Sequence, residues 1–227
     1  MVSKMLSKAH TKLIAGRRRA AIARTLSGIL RDSGFEIESL LDVGCGNGAI
    51  SSQLLKVHQG LIRVEGVDVV VPESTEISVS KYDGKTVPFG AGAFDAVLLC
   101  DVLHHIKDQA GIASVLLECA RVARKLVVVK DHSIDSRFDR LFISFLDTIG
   151  NLNTGIAMPL TFLSRQQWKH LFQDASLETL IYKEAPFGIH PPIVRHFTEI
   201  PFWTRPYHFI SVLAPRKSGH NMGMSGP

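Results

Sequence analysis

The stretch Leu41-Asp-Val-Gly-Cys-Gly-Asn-Gly48 leaves few folds open to the chain. Gly44, Gly46 and Gly48 permit positive φ and let a ligand approach the backbone closely. The strand-like run Ser39–Val43 leads into this turn and the helical stretch Ala49–Lys56 follows it. That is the place, at the carboxyl end of a strand, where an open α/β sheet binds nucleotides. The spacing is GxGxG, not the GxGxxG of dinucleotide sites, and no Gly-Lys-Ser/Thr follows as it would in a P-loop. The helix start offers free N–H groups to carboxylate or carbonyl oxygens, so a phosphate is not required.

From residue 39 the pattern alternates short β-branched runs with helical stretches, which predicts a parallel sheet with crossover helices. Candidate strands are Ser39–Val43, Ile62–Val67, Glu76–Ser80, Phe94–Leu99 and Leu126–Lys130, and Ala110–Arg121 is a second helix between them. Beyond residue 130, Phe138, Leu141, Phe142, Phe145, Leu146 and Ile149 recur at helical spacing behind a capping Asp135. Ser164-Arg-Gln-Gln167 is a capping-box pattern and opens another helix. Two last strand-like runs, Leu177–Lys183 and Tyr207–Leu213, flank a segment rich in Pro and aromatics that contains Arg195 and Arg205. A loop of that length inside a domain is usually functional, and an apolar roof over a bound acceptor is the reading favoured for it. Residues 1–31 form a basic helical arm and residues 32–214 one domain, within which 135–206 supplies lid elements; 215–227 reads as a disordered tail.

Charge is placed unevenly. Residues 1–31 hold eight Lys and Arg and no acid, which leaves 18 basic against 21 acidic side chains in the rest. Three readings of the arm stand: a helix over the domain, a contact for anionic partners, or a transit peptide. The first is favoured, because Ile22, Leu26, Ile29 and Leu30 fall on one helical face. No apolar run approaches the ~20 residues that span a bilayer, so a soluble protein is expected. Three widely spaced cysteines, Cys45, Cys100 and Cys119, without a CxxC, point to a reducing, cytoplasmic setting. No metal site is expected: HxxxH spacing is absent, and the adjacent His104 and His105 share neither a helix face nor a strand face.

Twenty residues after Gly48, Asp68 ends a strand, where a carboxylate can accept hydrogen bonds from both ribose hydroxyls. Together these residues resemble the class I S-adenosylmethionine-dependent methyltransferases, and in particular a type 11-like bacterial subgroup, over roughly residues 15–213. The resemblance implies an α/β fold: a Rossmann-like, seven-stranded, mostly parallel sheet with helices on both faces and an antiparallel last strand. It implies S-adenosyl-L-methionine as cofactor, S-adenosyl-L-homocysteine as product and no metal. Asp42, Gly44, Cys45, Gly46, Asn47 and Gly48 match the family's first motif, and Asp68 with Val69 its ribose-holding acid. Tyr82-Asp83-Gly84 stands where the family places an acid beside the adenine. Val87-Pro88-Phe89 and Phe94-Asp95 match the turn into the fourth strand, and Cys100, Asp101, Val102, His104 and His105 the segment bordering cofactor and acceptor. One departure is Ala91, where many relatives carry an acid.

Methyl transfer to a hydroxyl or acidic carbon gains from a general base. His105, His104 and His132 are the candidates, each expected at the carboxyl end of a strand and each able to take a proton near neutral pH. Asp131 can orient one of them, by the logic of a carboxylate behind an imidazole. The leading expectation is a methyltransferase acting on a small metabolite at O, N or C. An RNA methyltransferase is suggested by the basic arm, but no aromatic RNA-binding motif accompanies it, so nucleic acid is not the expected partner. A non-methylating S-adenosylmethionine-binding homologue, of cyclase type or an interaction subunit, is the further alternative. The sequence leaves the oligomeric state open.

Overall fold

The structure is a computed structural model that describes residues 2–136, 161–185 and 207–216. Seven strands form one sheet: β1 (Ser39–Val43), β2 (Arg63–Asp68), β3 (Ser78–Lys81), β4 (Phe94–Cys100), β5 (Ala123–His132), β6 (Leu177–Ala185) and β7 (His208–Pro215). Their order is β3-β2-β1-β4-β5-β7-β6. β7 runs antiparallel to both its neighbours, and the pairs β1–β2, β1–β4, β2–β3 and β4–β5 are parallel. Among the described residues the helices are α1 (Val2–Asp32), α2 (Ala49–Val57), α3 (Gln109–Val122) and α4 (Arg165–Asp174), with a 3-10 turn at Leu103–His105. The expected Rossmann-like α/β architecture is therefore the observed one.

Alternate residues of a strand point to opposite faces, and here both faces are covered. Leu40, Leu98, Val128 and Val212 pack with Ile22, Leu26 and Leu30 of α1 and Leu54 of α2. Leu41, Val97, Val127 and Phe209 pack on the other side with Leu116 of α3 and Trp168 and Phe172 of α4. Burial on both faces is why β4 and β5 read as unbroken apolar runs. The stripe of α1 is buried as its spacing predicts, so the second half of the basic arm belongs to the core.

Element ends differ from the sequence reading where a distant segment intervenes. β5 reaches His132 rather than Lys130, because β7 pairs with it out to His132↔His208. β3 starts at Ser78 rather than Glu76, whose N–H instead donates to the Asn47 carbonyl at 2.8 Å. β2 is displaced by one residue, because its pairing begins with Arg63 opposite Ser39 and runs to Asp68 opposite Lys81. Pro215, placed in the tail by composition, closes β7. Asp135 accepts the N–H of Arg165 at 3.2 Å. The helix expected after Asp135, the aromatic segment with Arg195 and Arg205, and the tail from 217 lie outside the described residues. Among those described, no helix is long and apolar enough to cross a membrane.

Candidate active site

The glycine turn stands between the ends of β1 and β2. Gly44, Gly46 and Gly48 have φ of 73°, 56° and 74°, all in the left-handed region that L side chains avoid. A Cβ at Gly44 would lie 2.6 Å from Val102 Cγ1, and one at Gly48 would strike Ile77. The turn is thus closed to side chains from behind at Gly44 and Gly48, while Gly46 faces open space. It is tied to β2 by the Gly44 N–H, which donates to the Val67 carbonyl at 2.8 Å.

Asp68 holds the turn from the front. Its Oδ2 accepts the Gly46 N–H at 2.7 Å and its Oδ1 the Val70 N–H at 3.0 Å. Each carboxylate oxygen retains lone-pair capacity, so the group fits the diol of a ribose. Asp42 lies beneath, 3% exposed, and accepts the Ser51 hydroxyl at 2.6 Å. Burial raises its pKa to about 7, against the opposing pull of Ser51. Asn47 Oδ1 accepts the Ala49 N–H at the start of α2. The Cys45 thiol is pushed up by burial and by Asp42 and Asp68, so it stays protonated. Val69 is half exposed. Tyr82 donates its backbone N–H to the Asp68 carbonyl, which places it beside the rim. Asp83 spends its Oδ1 on the N–H groups of Lys85 and Thr86, which hold its pKa below the usual carboxylate range.

A second cluster gathers where β4, β5 and β7 end. Asp101 adopts φ 58° and donates its N–H to the Lys130 carbonyl at 2.8 Å. Strain of this kind, about 1–3 kcal/mol, persists where surrounding contacts impose it. The fully buried Lys130 ammonium sits on both Asp101 oxygens. Burial works to raise the Asp101 pKa, but the Lys130 ammonium on its oxygens outweighs it and brings it down to about 2. On the opposite face of β5, Asp131 accepts His104 Nδ1 at 2.7 Å, the Leu103 N–H at 2.9 Å and the His132 N–H at 2.7 Å. Burial is again outweighed, here by His104, and Asp131 stays ionised.

Four imidazoles stand in sequence through this cluster. Ring centroids lie 4.0 Å apart for His105 and His104, 4.7 Å for His104 and His132, and 4.2 Å for His132 and His208. The 3-10 turn brings His104 and His105 together, which helix and strand periodicities do not allow. His104 is buried and His105 half-buried. His132 is 3% exposed, and α4 fixes its backbone through the Trp168 indole N–H, which donates to the His132 carbonyl at 2.8 Å. Its Nδ1 stands 3.4 Å from Asp131 Oδ1, and neither ring nitrogen has a hydrogen-bond partner among the described residues. Phe162 packs against the rings of His104 and His132. Burial, with His132 and Lys130, holds His208 uncharged.

The structure therefore brings His104, His105 and His132 to one edge with Asp101 and Cys100, and Val102 links that edge to the glycine turn. Two sets of donor atoms lie mutually within 4.8 Å: Asp101, His132 and His208, and His104, Asp131 and His132. The carboxylate of the first already holds Lys130, and that of the second is shared among three N–H or ring donors. Lys130, His208 and Arg18 were not among the sequence candidates. Arg18 Nη2 lies 3.8 Å from Asp101 Oδ2. Lys130 had a signal, a charge closing the apolar run Leu126–Val129; His208 had none, because its neighbours come from other strands.

Comparison with known proteins bears on both clusters. A family model described as a methyltransferase domain matches residues 14–181. The O-methyltransferase cnsE of Penicillium expansum is 27% identical over 112 residues, 42% of this chain and 40% of that protein. A tRNA (carboxymethyluridine(34)-5-O)-methyltransferase of Xenopus tropicalis is 36% identical over 90 residues, 37% of this chain and 13% of that protein. The matched stretch thus spans less than half the length of either relative. A solved magnesium protoporphyrin IX methyltransferase from Synechocystis PCC 6803, with S-adenosylhomocysteine bound, shares the fold at a TM-score of 0.56 and 16% identity, over 89% of this chain and 84% of that one. A glycine-rich rim, a strand-end carboxylate and a family match over most of the chain agree: this chain belongs to the class I S-adenosylmethionine-dependent methyltransferases.

Proposed function

We propose that the enzyme methylates a small metabolite at an atom that gives up a proton, and that His132 is the base. The observation that carries this reading is the His132 ring: it is buried, flanked by Asp131 and His208, and among the described residues neither of its nitrogens has a hydrogen-bond partner. A buried polar atom left unsatisfied costs about 1–3 kcal/mol, and an acceptor hydroxyl would relieve that cost. Gly44, Gly46, Gly48 and Asp68 would hold the cofactor, with Tyr82 and Asp83 beside its base. Bound S-adenosylmethionine supplies a methyl group on a sulfonium sulfur, which becomes a neutral thioether. His132 keeps its Nδ1 toward Asp131 and takes the acceptor's proton at Nε2. His104 is fixed by Asp131 and supports the neighbouring rings, and His105 closes the cluster toward the cofactor rim. Holding the reactants in line can supply several kcal/mol, and the base a further ~10²–10⁴-fold. The three free cysteines are compatible with a reducing, cytoplasmic setting.

His132→Ala is expected to lower kcat by about 10²–10⁴-fold and leave cofactor affinity unchanged. Lost cofactor affinity with intact turnover would remove His132 from this role. The basic arm and the tRNA-modifying relative favour RNA as a second substrate class. Binding to tRNA that falls steeply with salt would support it. Product mass separates both from a non-methylating reaction, since only methylation adds a CH2 unit.

A further inference from the structure

The buried stripe of α1 runs through residues four apart. Ile22 and Leu26 are 3% and 1% exposed, and Arg18 stands one turn before them in the same register, so it lies on the helix face turned to the domain. At that point the helix passes the end of β4, and the guanidinium meets Asp101 instead of apolar core.

The meeting leaves Arg18 largely uncommitted. Its closest approach, 3.8 Å, is beyond hydrogen-bond reach. Both Asp101 oxygens already receive Lys130, and no hydrogen bond from Arg18 exists among the described residues. Asp131 is engaged on the other face of β5 by Leu103, His104 and His132. His208, 3.5 Å from Lys130 by its Nδ1, is uncharged. On the α1 side of this edge Lys130 and Arg18 both face Asp101, and Lys130 holds both of its oxygens. α1 adds no acid of its own before Asp32. Half of the Arg18 side chain is open to solvent, as a group at the mouth of a site must be if a ligand is to reach it.

We infer that Arg18 binds an anionic group, a carboxylate or a phosphate, carried by the methyl acceptor. Its planar fork of N–H donors matches either oxyanion in a bidentate manner. The anion takes the Arg18 donors that Asp101 does not reach, and it orients the rest of the acceptor along the edge toward His132. Asp101 adjoins Val102, which packs on the glycine turn, so an anion on Arg18 lies at the acceptor side of the cofactor rim. This inference rests on the methyl-transfer reading above and names the substrate class for that site.

The test is calorimetric titration of the full chain, saturated with S-adenosylhomocysteine, with matched probes: benzoate against benzamide, and phenyl phosphate against phenol. At least tenfold tighter binding of an anion than of its neutral partner is expected, and the stronger of the two pairs identifies carboxylate or phosphate. Arg18→Ala should abolish the preference while S-adenosylhomocysteine affinity and melting temperature stay unchanged. Arg18→Lys should restore it only in part, since an ammonium lacks the fork. Equal affinities within both pairs, no binding of any probe at millimolar concentration, or a preference that survives in Arg18→Ala would each overturn the inference. Failure of S-adenosylhomocysteine itself to bind would overturn the methyl-transfer reading, and this inference with it.

Discussion

Asp42 shows how a single residue can serve the site without facing it. Its carboxyl is buried under the glycine turn, and its folded pKa of about 7 stands above the ordinary value of 3.8. The folded state therefore keeps a proton that the unfolded chain has already released. Below about pH 4 both states are protonated and Asp42 contributes no pH dependence. Between about pH 4 and pH 7 the folded state holds more protons, so stability falls as pH rises, and the penalty is constant above that window. Asp42→Asn keeps an acceptor for the Ser51 hydroxyl and removes the charge. It is expected to gain up to about 4 kcal/mol over the parent at pH 8 and nothing near pH 3. Urea denaturation at a series of pH values measures this, and parallel curves for the two proteins would show that Asp42 is not the source.

At the scale of elements, α4 is a device for holding β5. Ser164 and Gln167 form a complete capping box, with the Ser164 hydroxyl oxygen accepting the Gln167 N–H. One turn on, Trp168 is fully buried and donates to the His132 carbonyl. Ser164→Ala is expected to cost about 1 kcal/mol, read from the denaturation midpoint; a change within error would mean that tertiary packing alone sets the start of α4. The box was legible in the sequence because capping is local: three residues of spacing state it completely. The stripe of α1 was legible for the same reason. The extension of β5 to His132 was not, because residues 131 and 132 become strand only when β7 arrives to pair with them. Glu76 likewise reads as strand by composition until its N–H is claimed by Asn47 in a different turn.

The whole molecule divides along the same line. The half proposed to hold the cofactor is assembled from residues 42–84, consecutive in the chain, and spacing alone places the glycines and Asp68 together. The half proposed to take the acceptor joins Asp101 to Lys130 through the β4–β5 pairing, Arg18 from α1, and His208 from β7, which pairs with β5 opposite His132. No local pattern could bring those residues to one edge, which is why His104, His105 and His132 were readable as candidates while Lys130, His208 and Arg18 were not. On the proposed reading, one fold sets a cradle for the donor beside a charged, histidine-rich edge for the acceptor. The central claim concerns the cradle, and calorimetric titration with S-adenosylmethionine and S-adenosylhomocysteine tests it most directly. Micromolar binding of both ligands is expected, weakened by about 1–3 kcal/mol in Asp68→Ala, where hydrogen-bonding groups lose their partner. No binding at millimolar ligand, or undiminished affinity in a folded Asp68→Ala protein, would contradict it.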